Sequence, residues 1–362
     1  MTSDDAPDGL MSEPLLCSNC FEDYGLVLDA IEIGVRLPDA CQNCGQSGGA
    51  KLDKERLLSL ADSFFVRGTL VRDDYGAAPV LQFNEQHAGS TDIEVNDRVR
   101  HDAELLGRAA GIGFFHYGPR LWMIGEVEPL KALLHPDSCE QVIARILHDY
   151  PERTIPISDR LVRLRKNPAN PTATEEYDTP PTGMRGEGRL GSENLPVLYA
   201  SQDVEVCVHE CRVTVEDDLY MATLVPREPI RCLDLTEVLE EEGTEFESLD
   251  MAVHMLFLAG SHSYAACRAV AAAAKAAGYQ GVIFPSYFSL VRTGARAFDT
   301  AYGLSVRRFP SYRDQARRLS IPNVALFGEP VREGLVAVDG INRLLMRRVF
   351  YDVHFGPAGL TR

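Results

Sequence analysis

No apolar run in this chain approaches the roughly twenty residues needed to cross a bilayer. The N-terminal stretch "MTSDDAPDGLMSEP" is acidic and lacks the basic-then-apolar layout of a secretory leader, so residues 1–12 read as a short disordered lead. Basic residues are outnumbered, 36 Lys and Arg against 53 Asp and Glu, for a formal charge of −17. That imbalance argues against a surface built to grip nucleic-acid phosphates, although it leaves room for a local basic pocket for a small anion. No internal repeat is visible. With no export signal, the nine cysteines point to cytosolic thiols rather than a disulfide framework. The expectation is a soluble, cytoplasmic protein.

The 362 residues fit two domains comfortably, and an apolar fraction of 45% supports globular cores. Residues 13–50 read as loop-rich and 52–150 as mostly helical. Asp53 and Asn96 are candidate N-caps for helices in "DKERLLSLADSFF" and "NDRVRHDAELLGRAAG". A third helix, "DSCEQVIARILHDY", carries Val142, Ile143 and Ile146 on one stripe and ends at Pro151. Short β-branched segments then take over at 160–165, 196–201, 218–225 and 230–235. A Pro, Thr, Gly and Glu-dense loop spans 167–191. Helices return at 248–259 and 262–278, the latter closed by Gly278. "GVIFPS", "NVALFG" and "LVAVDGINRLLMRRVFYDVHF" supply further strands. The shift from helical to mixed composition places a domain boundary near 150, giving a 13–150 and a 151–362 domain in an α+β chain.

Cys17, Cys20, Cys41 and Cys44 form C-x2-C-x20-C-x2-C. Each CxxC turn brings two thiolates together, and a tetrahedral Zn²⁺ needs two such pairs. With sulfur in all four positions no open site remains for water, so the metal expected here is structural. The other cysteines sit in apolar patterns and read as buried and inert.

Two further stretches carry candidate chemistry. In "GEGRLGSENLPVLYASQDVEVCVHECR", Arg189 stands in a glycine-flanked loop where its guanidinium could meet a ligand without rivals, and Tyr199 lies in a short apolar strand. Asp203 is an N-cap candidate for a helix whose buried stripe is Val204, Cys207, Val208 and Cys211. Glu210 falls at the edge of that stripe, where a carboxylate can face a pocket, although spacing alone favours a solvated surface glutamate. In "GYQGVIFPSYFS" a buried strand stops at Pro285, which has no N–H to continue a ladder, and Ser286 follows.

Together these stretches resemble the RES domain, named for its Arg, Glu and Ser. Arg189, Tyr199 and Glu210 keep the family's intervals of ten and eleven residues. Gly278, Tyr279, Gly281, Ile283, Pro285 and Ser286 match its glycine-tyrosine strand, and Asn323 to Phe327 match its closing "NvaLF". The resemblance spans roughly 155–350. It implies an ADP-ribosyltransferase-like fold, a split β-core around a cleft for NAD⁺. It also implies an enzyme that degrades NAD⁺ by hydrolysis or phosphorolysis, commonly the toxin of a toxin–antitoxin pair, so an antitoxin or regulatory protein is an expected partner.

On that resemblance Glu210 would stabilise positive charge building on the ribose, as in glycoside cleavage. Arg189 would hold a pyrophosphate, or inorganic phosphate as co-substrate. Ser286 would offer its hydroxyl to the dinucleotide, and Tyr199 would stack on the nicotinamide or hold the ribose. Two other readings fit the same residues: an ADP-ribosyltransferase acting on a macromolecule, and a non-catalytic NAD⁺-binding or partner-binding module.

The match departs from the family in two places. The family's aspartate is Gln280 here. The basic segment 287–322 is long, and reads either as a lid supplying Arg292, Arg296 or Arg307 to a phosphate or as a solvated excursion. The N-terminal part is similar to the zinc-bearing, helical HEPN-type domain found ahead of some RES domains, chiefly through its CxxC pairs. HEPN ribonucleases space Arg and His four to six residues apart. "RILH" and "RVRH" are closer, so a ribonuclease is not expected, and these helices serve equally as a docking surface for a partner or a second copy of the chain.

Overall fold

The computed structural model describes residues 13–73, 76–117, 127–183, 185, 188–289, 293, 300–301, 304–349, 353–358 and 360. The lead at 1–12 and Arg292 and Arg296 lie outside the described residues. The chain divides into two compact units: one holds the described residues of 1–73, 77–120 and 351–362, the other those of 74–76 and 121–350.

In the first unit, β1 (Leu16–Cys17), β2 (Val35–Arg36) and β3 (Ala50–Leu52) make a small antiparallel sheet with β3 central. Strands β4 (Leu70–Asp73), β5 (Gly76–Pro79), β6 (Leu81–Asn84) and β7 (Gly113–His116) pair in two hairpin-like sheets, β4 with β5 and β6 with β7. Helices α1 (Tyr24–Ile33), α2 (Lys54–Ala61) and α3 (Asp97–Ala110) close the core around Leu26, Leu57, Phe64, Phe65, Leu106 and Phe114. Asp53 and Asn96 cap α2 and α3 as their sequence positions predict, each accepting from the amide three residues on. Helix α1 is a departure from the loop-rich expectation: Asp23 caps it, and the wholly buried carboxylate of Asp102 accepts from the amides of Glu22 and Asp23.

The C-terminal residues also belong to this unit, not to a strand of the second. Gly68 and Gly356 cross backbone to backbone, and a Cβ on Gly68 would stand 2.1 Å from the Phe355 carbonyl oxygen. Only glycine permits that approach.

The second unit begins with α4 (Glu128–Leu133) and α5 (Pro136–Asp149), earlier than the composition shift near 150 suggests. The stripe of Val142, Ile143 and Ile146 packs with Leu130 and Leu133 into the same core as Leu256, Phe257 and Val270, so these helices complete the second core rather than the first. That core covers one face of an eight-stranded sheet. Its strands are β8 (Glu152–Ile155), β9 (Leu161–Lys166), β10 (Val197–Ser201), β11 (Leu219–Pro226), β12 (Ile230–Asp234), β13 (Gly281–Pro285), β16 (Pro322–Phe327) and β17 (Val336–Leu344). They lie in the order β17-β11-β9-β10-β16-β13-β12-β8, and β14 (Thr300–Ala301) and β15 (Leu304–Ser305) pair separately.

Only β12 and β13 run parallel, so the chain between them must cross over, and α7 (Leu249–Leu258) and α8 (Tyr264–Ala276) make that crossover on the sheet's covered face. Strands β10 and β16 pair through five residues, whereas β10 and β9 share the single pair Ser201↔Val162 and then part. Beyond the fork, the Arg163 guanidinium donates to the Tyr199 carbonyl at 2.7 Å, supplying the donor that a ladder would have given.

Arg307 corrects the expectation of a solvated or phosphate-facing side chain. It is buried and grips both carboxylate oxygens of Asp250 at 2.8 Å. Arg308 pairs with Glu241 at 3.1 Å, and from α9 (Arg313–Leu319) Arg313 and Arg317 pair with Glu240 and Glu237. The basic segment is thus folded onto an acidic one. Arg307→Gln is expected to cost about 3–5 kcal/mol by leaving Asp250 charged and unpaired, whereas a double replacement with apolar residues should be far milder. Urea unfolding of both variants measures the contrast.

Candidate active site and metal centre

Glu210 is the last residue of α6 (Val204–Glu210), which Asp203 starts by accepting from the Val206 amide. Cys207, Val208 and Cys211 seat the helix on Leu164 of β9. Val206 is buried in place of Val204, which is 37% exposed. In so short a helix a first-turn side chain, leaning toward the N-terminus, overhangs the sheet.

The Glu210 carboxylate meets the end of β13 and the start of β16. Ser286 Oγ donates to its Oε1 at 2.7 Å, and Asn323 Nδ2 donates to the same oxygen at 2.7 Å. Both donors are buried while Glu210 itself is exposed. The Ser286 hydroxyl also accepts from the Phe288 amide at 3.1 Å, and its own amide donates to the Ile321 carbonyl. Its proton therefore points at the glutamate. At 1% exposure it orients Glu210 rather than standing open to a ligand. Two charge-assisted bonds on one oxygen fix the carboxylate, with Oε2 receiving neither.

Asn323 carries a contact that the motif reading left without a role. The available signal is a carboxamide heading the apolar strand "NVALF", where a buried polar group needs a partner.

Arg189 and Tyr199 form a second pair. The Tyr199 hydroxyl accepts from the amides of Leu190 and Gly191 at 2.8 and 3.0 Å, pinning the loop that carries Arg189, and burial pushes its phenol upward in pKa. Tyr199 is thereby a loop anchor, its ring edge-on to Phe284 at 6.3 Å. Arg189 is not without rivals: its guanidinium donates to the carbonyls of Leu256 and Ala259 at the C-terminal end of α7, at 3.4 and 3.1 Å, and lies over the Tyr264 ring. No hydrogen bond joins this pair directly to Glu210 and Ser286 among the described residues. They are linked through the sheet, since Phe284 lies two residues before Ser286 and Tyr199 two before Ser201, the register partner of Asn323.

His209 stacks on Phe288 at 5.5 Å. Gln280 accepts from the Arg231 amide and donates to Glu228, a structural role at the edge of β12.

In the first unit the four motif cysteines converge. Cys17 Sγ lies 3.8 Å from Cys20 and 3.6 Å from Cys44, Cys20 lies 3.6 Å from Cys41, and all four sulfurs fall within 4.8 Å of one another. Tetrahedral Zn–S bonds of about 2.3 Å require sulfurs about 3.8 Å apart, so the cluster fits that ion. Burial pushes the Cys17 and Cys20 thiols up. At Cys41 the same push is outweighed by the amides of Cys44 and Asn43 together with the Cys20 and Cys17 thiols, which bring it down to about 7.

Residues 160–298 match the family model of the RES domain. That span contains Arg189, Tyr199, Glu210 and Ser286 and ends before Asn323. A solved chain from the "Crystal structure of the M.tuberculosis MbcT-MbcA toxin-antitoxin complex" is similar at 15% identity, covering 56% of this chain and 91% of that one, with a TM-score of 0.33. No curated protein matches this chain. The RES-domain span lies within the second unit. No described helix is long and apolar enough to cross a membrane.

Proposed function

We propose that the RES domain cleaves the nicotinamide–ribose bond of NAD⁺, with Glu210 as the group facing the ribose. The observation that carries this reading is the Glu210 carboxylate, fixed through Oε1 by Ser286 and Asn323 and exposed on its other side. As the C–N bond breaks, its electron pair leaves with neutral nicotinamide and positive charge grows on the ribose. A preorganised carboxylate stabilises that charge. Water or phosphate then adds through oxygen at the same carbon; in hydrolysis the attacking water releases its second proton to solvent. The fork between β9 and β10 supports an ADP-ribosyltransferase-like split core. The family resemblance supports a toxin kept in check by an antitoxin or regulatory protein.

Zinc on Cys17, Cys20, Cys41 and Cys44 is proposed as a structural ion that shapes the 13–52 segment and takes no part in the chemistry. The helices of the first unit are proposed as a docking surface for a partner or a second copy of the chain.

Chromatography of NAD⁺ labelled in its adenylate half tests the activity. Free nicotinamide with a small labelled product supports the proposal. Label on protein or nucleic acid indicates a transferase, and intact NAD⁺ despite binding indicates a binding module. For Asn323→Ala, losing one bond to a charged partner predicts a kcat lowered about ten- to hundredfold. KM should stay near the parent value, as steady-state kinetics would show.

A further inference from the structure

Strand β16 enters the sheet on Pro322, whose register partner on β13 is Pro285. A proline has no N–H, so neither residue can donate to the ladder where the two strands meet. Two buried serines supply donors in its place. Ser201 Oγ, at the end of β10, donates to the Pro322 carbonyl at 3.1 Å, and Ser289 Oγ donates to the Ile321 carbonyl at 3.2 Å. The Ser286 amide reaches the same Ile321 carbonyl at 2.9 Å.

Each hydroxyl also accepts. Ser201 Oγ takes the Asp203 amide at 3.2 Å, at the cap of α6, and Ser289 Oγ takes the Ile321 amide at 2.9 Å. Ser289 thus meets both backbone polar groups of Ile321, as a neighbouring strand would. The two serines are 1% and 4% exposed, so these bonds are made away from solvent.

The bonds converge on the two donors that hold Glu210. Asn323 directly follows Pro322 and pairs with Ser201 across β10 and β16, while the turn from Ser286 to Ser289 is fastened to Ile321. Ser201 therefore joins the start of α6, whose last residue is Glu210, to the strand that carries Asn323. Ser289 joins the Ser286 turn to that same strand. Two donors at 2.7 Å from one carboxylate oxygen keep that geometry only while the elements bearing them keep their spacing.

We propose that Ser201 and Ser289 are positioning residues for Glu210, acting through Asn323 and Ser286 without touching substrate. The brace itself stands on the hydrogen bonds; its effect on catalysis rests on the function proposed above.

NMR of the full chain with asparagine-selective isotope labelling reads the Asn323 side-chain amide, which should lie downfield and exchange slowly while it donates to Glu210. In Ser201→Ala and Ser289→Ala that resonance should move toward the position of a free amide, a melting curve showing that each variant is folded. Steady-state kinetics should show kcat lowered about three- to tenfold with KM within about twofold of the parent. Added to Asn323→Ala, the Ser201→Ala change should lower kcat by less than about twofold, because the bond it acts through is already gone. On the unaltered protein, the amides of Asp203 and Ile321, which lie outside any helix or strand, should exchange slowly, so the proposal does not hang on a variant's fold. Fast exchange at both amides, an Asn323 resonance that stays in place in a folded variant, or an unchanged kcat in a protein that turns over NAD⁺ overturns it. A resonance that moves in a protein with no NAD⁺ cleavage would leave the brace standing and remove the proposed activity.

Discussion

Replacing Glu210 by glutamine is expected to slow nicotinamide release from NAD⁺ about 10²- to 10³-fold while leaving the fold intact. The substitution keeps the side chain's length and shape. A glutamine carbonyl oxygen in the place of Oε1 would still accept from Ser286 and Asn323, the two donors at 2.7 Å. The change falls on the exposed side, where an uncharged amide group replaces the carboxylate oxygen Oε2. A carboxylate whose contribution is charge set against a cationic ribose loses that contribution, and little else. Because Glu210 is exposed and ends its helix, no core contact is lost. Matched melting curves and initial rates are the measurement, and a variant within about twofold of the parent rate would contradict the assignment.

Removing metal from the four-cysteine cluster is expected to unfold the N-terminal segment, because a structural zinc contributes on the order of 10 kcal/mol of apparent binding energy to such a site. The three strands of this segment are two or three residues long, and Cys17 and Cys41 are buried within it. Sheets of that size are marginal without a staple. Hydrogen exchange after treatment with a strong chelator should show lost protection across residues 13–52, with peptides covering β10, β13 and β16 unchanged. The ligands must be deprotonated to bind, so acidification should release the ion as the thiolates take up protons. Purified protein that contains no zinc by elemental analysis, or identical exchange before and after chelation, would contradict this.

Local signals in the sequence reached most of the second unit. Short continuous apolar runs mark β10, β13 and β16, Asp203 caps α6, and Gly278 with its φ of 89° ends the chain's Ala-rich helix, while in the first unit caps mark α2 and α3. The unit boundary was not legible in the same way. The stripe on α5 shows that one face of the helix is buried but not which core receives it, and the partners, Leu256 and Val270, lie more than a hundred residues away. The return of the C-terminal residues to the first unit is equally non-local, written in the crossing of Gly68 and Gly356.

At the site, the spacing of Arg189, Tyr199 and Glu210 was legible, but the division of labour was not. A tyrosine that anchors a loop and one that stacks on a ring occupy the same place in a strand pattern. Arg163 reads as an ordinary member of "RLVRLR" because nothing local shows that β9 and β10 part company beside it. Arg307 likewise reads as a phosphate donor or a solvated side chain, because nothing local shows that Asp250 lies opposite it.

A phosphorus NMR time course of the purified chain with NAD⁺, run with and without inorganic phosphate, tests the central claim most directly. The account predicts loss of the NAD⁺ diphosphate signals to a new diphosphate species. An added sugar-phosphate resonance that depends on phosphate would mark phosphorolysis, and the same product in both tubes would mark hydrolysis. NAD⁺ signals that persist unchanged in both would contradict it.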